Sequence, residues 1–459
     1  MRIKIKNLAR IKEASVALKP LTIFIGKNNT NKSYVAHVFY ALLDLGSMRL
    51  RHHVEKYIGK VVEKEYIKET VEQLKPFLEK VEKKRGGQVF YNFSLKKDEE
   101  CLIQVLQIFK RLWNKVFPLY IKNDTLQEAT VEIENFSDLL RQYKKITLPS
   151  FGFDRRSINE VPSVILFEFF FATISSLLPI YLGFRFSPRV FYFPASRTGF
   201  ALALEDIISG IVRRLSGVPG TKLTEPTIDF LKAYNDIKLE RFKLDINRYF
   251  LIPKPQKVSS NLQGIMDLFE KKLLNGKIIL KSPKGAEAYS RFFYKPYGFR
   301  SLLEFHCASS LVTELAPIYS FLNELGDVKN TLFIIEEPES HLHPSAQLEI
   351  VKFLGMLVRS KAKVLITTHS DYILNFVNVL IRSSQLEEKD RERLKLERCF
   401  LNPEEVGCYL FKEKGKGVEV KELEVSSNGV STEDFEEVLD EIIGLSNKIH
   451  ELLYKEFIK

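Results

Sequence analysis

The segment Leu21–Ser33 constrains this chain more than any other. An apolar run, Leu21-Thr22-Ile23-Phe24-Ile25, leads into Gly26-Lys27-Asn28-Asn29-Thr30-Asn31-Lys32-Ser33, and Lys32 onward (KSYVAHVFYALLDL) has the apolar spacing of a helix. In a strand, glycine-started loop and helix, successive backbone N–H groups can face a phosphate chain, and the helix N-terminus adds partial positive charge. Gly26, Asn28, Asn29, Thr30, Asn31, Lys32 and Ser33 are therefore candidate nucleotide-binding residues. Lys32 is placed to reach the β- and γ-phosphates, and Ser33 to put its hydroxyl on Mg²⁺. Asn31 stands where such loops usually carry glycine, and asparagine tolerates left-handed backbone angles better than most residues.

About three hundred residues later, Leu332-Phe333-Ile334-Ile335 ends in Glu336-Glu337-Pro338, followed by Glu339-Ser340-His341-Leu342-His343-Pro344. Strand ends in a parallel sheet open onto a ligand crevice. There one carboxylate can hold Mg²⁺ while the next polarises an attacking water. Hydrolysis of a phosphoanhydride needs mostly positioning and charge neutralisation, so these few groups suffice. His369 follows another apolar run, Lys363–Thr368, where an imidazole could reach a γ-phosphate or the water. His341 and His343 are two apart and share no helix face, which disfavours a zinc site there.

The rest of the chain reads as strands interleaved with helices, hence a mostly parallel α/β sheet. Short strands are expected at residues 2–7, 14–18 and 21–25. After Gly46, apolar stripes at three- and four-residue spacing (Leu50 to Tyr66, Val105 to Val116) predict a mostly helical insertion over residues 46–188. A buried strand returns at Val190–Phe193, ending in Pro194-Ala195-Ser196-Arg197, with more helix through Phe250. Residues 277–306 read as a β meander with turns at Asn275-Gly276 and Pro283-Lys284-Gly285. A hairpin is expected over residues 408–424, and a terminal helix over 432–457 that Ser431 and Asp434 could cap.

With 459 residues, the chain has room for two or three domains and a sizeable core without cross-links. Cys101, Cys307, Cys399 and Cys408 form no CxxC pair, which argues against a zinc ribbon or disulfide scaffold and fits a reducing cytoplasm. The opening alternation Arg2-Ile3-Lys4-Ile5-Lys6 suggests a strand and not a secretion signal. A net charge of +11 favours polyanions such as nucleic acid, although the lysines are spread along the chain and not gathered in a block. Residues 164–184 approach the length of a bilayer span, but Glu168 and Pro179 interrupt them, so a buried helix is the preferred reading.

These pieces, in this order, resemble the ABC-type ATPase heads of the RecF, SMC and OLD group. They look most like the stand-alone AAA-labelled ATPases of prokaryotic defence loci. The segments IEEPESHLHPSAQ (Ile335–Gln347), TTHSDYIL (Thr367–Leu374), FPASR (Phe193–Arg197) and ASSLVTELAPIYSFL (Ala308–Leu322) carry the resemblance. It implies an α/β, ABC-ATPase-like P-loop head with a mixed, largely parallel sheet. The head would be built from residues 1–45 and 189–459, with residues 46–188 inserted. By the same resemblance, Glu336 joins Ser33 at Mg²⁺, Glu337 is the catalytic base and His369 the switch histidine. Ser309 and Ser310 would begin a signature segment that reaches the ATP of a second subunit, giving a homodimer or higher homo-oligomer. Leu311 replaces the glycine usual after the signature serine. The family's Q-loop glutamine has no assignable position, and Arg197 has no evident role beyond a cation near the sheet edge. No Toprim-like acidic cluster follows His369, so a nuclease or toxin effector would have to be a separate protein.

The expected activity is that of a cytoplasmic ATPase that dimerises on ATP and couples this to handling of DNA, RNA or an effector protein, in anti-phage defence or DNA maintenance. The competing readings are an ATP-gated scaffold that holds a toxin or nuclease partner and hydrolyses slowly, which Asn31 and Leu311 favour, and a membrane-associated motor anchored through residues 164–184.

Overall fold

Five parallel strands bring the distant segments together. A computed structural model describes residues 2–44, 130–133, 188–206, 224–238, 258–281 and 291–431. Among these, β1 (Arg2–Leu8), β2 (Ile11–Ala17), β3 (Leu21–Gly26), β4 (Thr130–Ile133) and β5 (Arg189–Phe193) share one sheet with four later strands. Those are β9 (Thr331–Glu336), β10 (Lys363–Thr368), β11 (Val406–Lys414) and β12 (Gly417–Leu423). The strand order is β4-β1-β2-β12-β11-β3-β10-β9-β5. From β11 to β5 every pairing is parallel, whereas β11–β12, β1–β2 and β1–β4 are antiparallel. The sheet is thus mixed and largely parallel, as expected.

The burial of each strand explains its composition. β9 is buried along its whole length, and β3 and β10 nearly so, which is why they read as continuous apolar runs. β1 alternates between buried and half-exposed positions, and its sequence alternates apolar and charged residues to match.

Helices cover both faces of the parallel strands. α1 (Lys32–Asp44) packs on one face, where Phe24 meets Phe39 at 6.4 Å and Phe411 at 5.2 Å between ring centroids. Such aromatic pairs add about 0.5–1.5 kcal/mol beyond area burial. Leu21, Ile23 and Ile25 point to the opposite face. There they join the core formed with α3 (Glu225–Lys238), α4 (Ser260–Leu268), α5 (Ser310–Glu324), α6 (Pro344–Arg359) and α7 (Asp371–Ser383). α2 (Arg197–Asp206) follows β5, and α8 (Glu388–Arg393) lies on the surface. β6 (Gly276–Lys281), β7 (Arg291–Pro296) and β8 (Leu303–Glu304) form a separate antiparallel meander, as expected.

Register then places the site. Ile25 pairs with both Thr368 and Leu410, Thr367 with Glu336, and Ile335 with Phe193. The carboxyl ends of β3, β10, β9 and β5 therefore finish at one level, and each leads into a segment singled out from the sequence.

Two features differ from the expectation. β2 begins at Ile11, three residues earlier than expected, because a two-residue turn at Ala9-Arg10 closes the β1–β2 hairpin. Thr130–Ile133, inside the interval read as mostly helical, is a strand that pairs with β1. Its four residues are too few for alternation to stand out in the sequence. The turn at 283–285, the apolar stretch 164–184, the helix expected at 432–457 and nearly all of 46–188 lie outside the described residues. No helix among the described residues is long and apolar enough to cross a membrane.

Candidate functional site

The segment expected to hold phosphates runs from the end of β3 to the start of α1 and contains three positive φ angles. Gly26 sits at φ +150°, and a Cβ there would come within 2.3 Å of the Phe411 carbonyl oxygen, so only glycine fits. Asn29 and Asn31 adopt left-handed angles, φ +62° and +66°. Asn31 thus takes up a left-handed conformation that glycine adopts without steric cost. Thr30 donates its hydroxyl proton to the Lys27 carbonyl at 2.8 Å, closing the loop. Lys32 is buried, and its Nζ donates to the carbonyls of Gly26 (2.7 Å) and Lys27 (2.8 Å) inside the loop. Burial pulls the Lys32 ammonium below the usual lysine range, while the charges of Glu337, Glu339 and Glu336 push it back up. Asn28 and Ser33 are exposed at the rim.

Glu336 and Glu337 close β9 in different environments. Glu336 is buried; its Oε2 accepts from the Ala195 amide at 3.3 Å, and its Oε1 has no hydrogen-bond partner among the described residues. Behind it stands Tyr192 of β5, whose pKa is raised well above the tyrosine range by burial and by the Glu336 charge. The Tyr192 hydroxyl also pairs at 2.9 Å with Nε2 of His37, buried one turn after Ser33 on α1. The loop helix and Glu336 are thus joined by a buried polar chain.

Glu337 is part-exposed, and its backbone is left-handed, φ +43°. For a residue with a Cβ this costs about 1–3 kcal/mol, and such strain gathers at functional sites. Local bonds hold it there: its amide donates to the Thr367 carbonyl at 2.8 Å, and its carbonyl accepts from the Ser340 amide at 3.0 Å. The Ser340 hydroxyl donates to Glu337 Oε2 at 3.1 Å, and His369 Nδ1 lies 3.7 Å from Oε1.

Two contributors were not assigned from the sequence. Glu339 is buried under His369, where its Oε1 accepts from the Thr368 hydroxyl (2.5 Å) and the His369 amide (3.1 Å). Arg197 is wholly buried, more than a cation near the sheet edge. It is ion-paired with Glu314 of α5 at 2.5 Å and donates to the carbonyls of Glu336 (2.7 Å), Glu337 (3.2 Å), Pro194 and Glu314. Glu339 lies in the quoted motif, and FPASR flagged Arg197; nothing local in the sequence reveals the burial.

The segment expected to act as a signature lies at the start of α5. Ser309 is the N-cap and Ser310 the first helical residue, both exposed, and neither hydroxyl caps the helix. Leu311 is half-buried and packs against the core. His343 uses its Nδ1 to accept from the Ser345 amide, capping α6, which gives that histidine a structural task.

Residues 232–374 match the AAA ATPase domain family (AAA_15). That span contains Ser309, Ser310, Glu336, Glu337 and His369, and the Gly26–Ser33 segment lies before it. Among solved structures, the chain is similar to an Smc head bound to the C-winged helix domain of ScpA, at 10% identity and TM-score 0.37 over 92% of this chain and 97% of that one. It is similar to an Smc head with an extended coiled coil bound to the C-terminal domain of ScpA, derived from Pyrococcus furiosus, at 11% identity and TM-score 0.34 over 96% and 98% of the two chains. It is also similar to the SMC head domain from Thermotoga maritima, at 8% identity and TM-score 0.33 over 92% and 98%. No curated protein matches the chain. Residues 232–374 of this chain are thus similar to the AAA ATPase domain, and the acids that end β9 lie within the matched span.

Proposed function

We propose that the chain binds ATP in the Gly26–Ser33 loop and hydrolyses it with Glu337 as general base. The supporting observation is the shared level of four strand ends, which gathers Lys32, Glu336, Glu337 and His369 from distant parts of the sequence. The loop donates backbone N–H groups and the Lys32 ammonium to the phosphates. Phosphate oxygens would replace the loop carbonyls to which Lys32 now donates. Glu337 accepts the proton of the attacking water. Its strained backbone and the Ser340 hydroxyl fix its carboxylate, and His369 stands beside it to orient the water or the γ-phosphate.

The residues fit Mg²⁺. The buried Oε1 of Glu336 has no partner among the described residues, and with the Ser33 hydroxyl it makes an all-oxygen donor set suited to a hard cation. These two residues would hold the ion, which would supply charge neutralisation for the phosphates.

On this reading Ser309 and Ser310, exposed at the tip of α5, engage the ATP of a second copy, and the closed dimer acts on a nucleic acid or an effector protein. The slow-timer alternative rests on Asn31 and Leu311; the left-handed φ of +66° at Asn31 supports a working loop and weighs against it. The test is light scattering and steady-state turnover of the full chain, with and without ATP and Mg²⁺. A doubled mass with ATP and turnover that rises faster than protein concentration are expected. A monomer that hydrolyses ATP in strict proportion to its concentration would exclude the sandwich.

A further inference from the structure

Arg197 links three segments that meet only in the folded chain. Its Nη1 donates to the carbonyls of Pro194, at the exit of β5, and of Glu336, at the end of β9. Its Nη2 donates to the Glu337 carbonyl and pairs with Glu314 Oε1, while Nε donates to the Glu314 carbonyl on α5. The second oxygen of Glu314 accepts from the Thr198 hydroxyl. Both members of the ion pair are wholly buried.

A buried ion pair is a poor way to gain stability, since apolar replacements are often as stable or more so. Its value is geometric: a planar guanidinium fixes several acceptors at once. Here the acceptors include the carbonyl of Glu337, the residue with the left-handed backbone. Glu314 lies one helical turn from Ser310, on a helix buried from Val312 to Leu322 that begins at two exposed serines. The Arg197–Glu314 pair therefore connects the exposed start of this helix to the end of β9 through buried contacts.

We propose that Arg197 is a positioning residue for Glu337, and that the Arg197–Glu314 pair transmits the seating of α5's N-terminus on a second copy of this chain to the end of β9. This rests on the ATP-sandwich reading given above. Residues far apart in the sequence thereby make turnover conditional on assembly. Ser309 and Ser310 report contact, Glu314 and Arg197 carry it, and Glu337 responds through its own backbone.

The test uses the full chain with Arg197→Lys, Glu314→Gln and Thr198→Val. Each variant is assayed for its melting curve, for affinity toward a non-hydrolysable ATP analogue, for ATP-dependent mass and for turnover across protein concentrations. Arg197→Lys and Glu314→Gln are expected to keep analogue affinity and dimer mass while losing about a hundredfold in turnover, the cost of misplacing a catalytic group by about 1 Å. Their residual turnover should no longer depend on protein concentration, a change that loss of folded protein alone would not produce. Thr198→Val should fall between them and the parent. Should Arg197→Lys not fold, the isosteric Glu314→Gln, which still accepts from Thr198, decides the matter. Variants with turnover per dimer equal to the parent's, or lost only in step with analogue binding, would overturn the inference and leave the functional reading intact. A parent chain with neither ATP-dependent mass nor turnover would overturn both.

Discussion

Nδ1 of His369 lies 3.7 Å from Oε1 of Glu337, across the gap between the ends of β10 and β9. The two side chains come from strands paired in parallel, with Thr367 opposite Glu336, so register alone brings them together. Glu339 supports the pair from beneath by accepting the His369 amide. Substituting His369 by alanine should lower turnover by one to two orders of magnitude, about the scale of one positioned polar group, while nucleotide affinity stays close to the parent's. Turnover and analogue binding measured on the same preparation check this; a parallel loss of both would assign His369 to binding instead.

Lys32→Ala removes a buried ammonium that bridges the loop carbonyls and faces three glutamates. Charge-assisted hydrogen bonds of this kind are worth about 1.5–3 kcal/mol, so ATP affinity should fall at least about tenfold. Titration with a fluorescent ATP analogue reads it directly, and unchanged affinity would remove the loop from the site.

Asn31 holds φ +66° without glycine. Asn31→Gly should leave ATP affinity intact and be neutral or slightly stabilising. Asn31→Val forces a β-branched residue into that geometry and should cost about 1–2 kcal/mol, with weaker nucleotide binding. Melting curves of the two variants, run beside the parent, separate the outcomes; equal stability of all three would mean that the loop relaxes at no cost.

Lys363 opens β10 with its ammonium donating to the Leu18 carbonyl at 3.3 Å, and burial pulls its pKa down to about 8 from 10.5. The folded chain therefore releases this proton at lower pH than the unfolded chain does. Between those two values the unfolded chain binds more protons, and this group's contribution to stability rises with pH. Below the folded value the burial penalty is fully present, at most about 3 kcal/mol. Lys363→Met should accordingly be more stable than the parent at pH 7, with the difference shrinking toward pH 10. Urea unfolding of both proteins at the two pH values tests this, and a difference independent of pH would contradict it.

The sheet was legible because β3, β9 and β10 are buried on both faces, and such strands read as unbroken apolar runs. Their parallel pairing made their end residues, Gly26, Glu336 and Thr368, the natural place to seek chemistry. Arg197 was legible as part of a motif but not as a clamp, since its partners Glu314, Glu336 and Glu337 lie more than a hundred residues away in sequence and its burial is a tertiary fact. The same holds for the Tyr192–His37 pair, 155 residues apart. β4 escaped notice because a four-residue strand carries almost no periodic signal of its own.

The central claim is that Glu337 activates water for hydrolysis of ATP held in the Gly26–Ser33 loop, and single-turnover assay of Glu337→Gln tests it most directly. The substitution keeps the shape of the side chain and the Ser340 contact but removes the base. The account predicts ATP bound at parental affinity, cleavage slowed about a hundredfold or more, and an ATP-dependent dimer that outlives the parent's. Cleavage at the parental rate would contradict it.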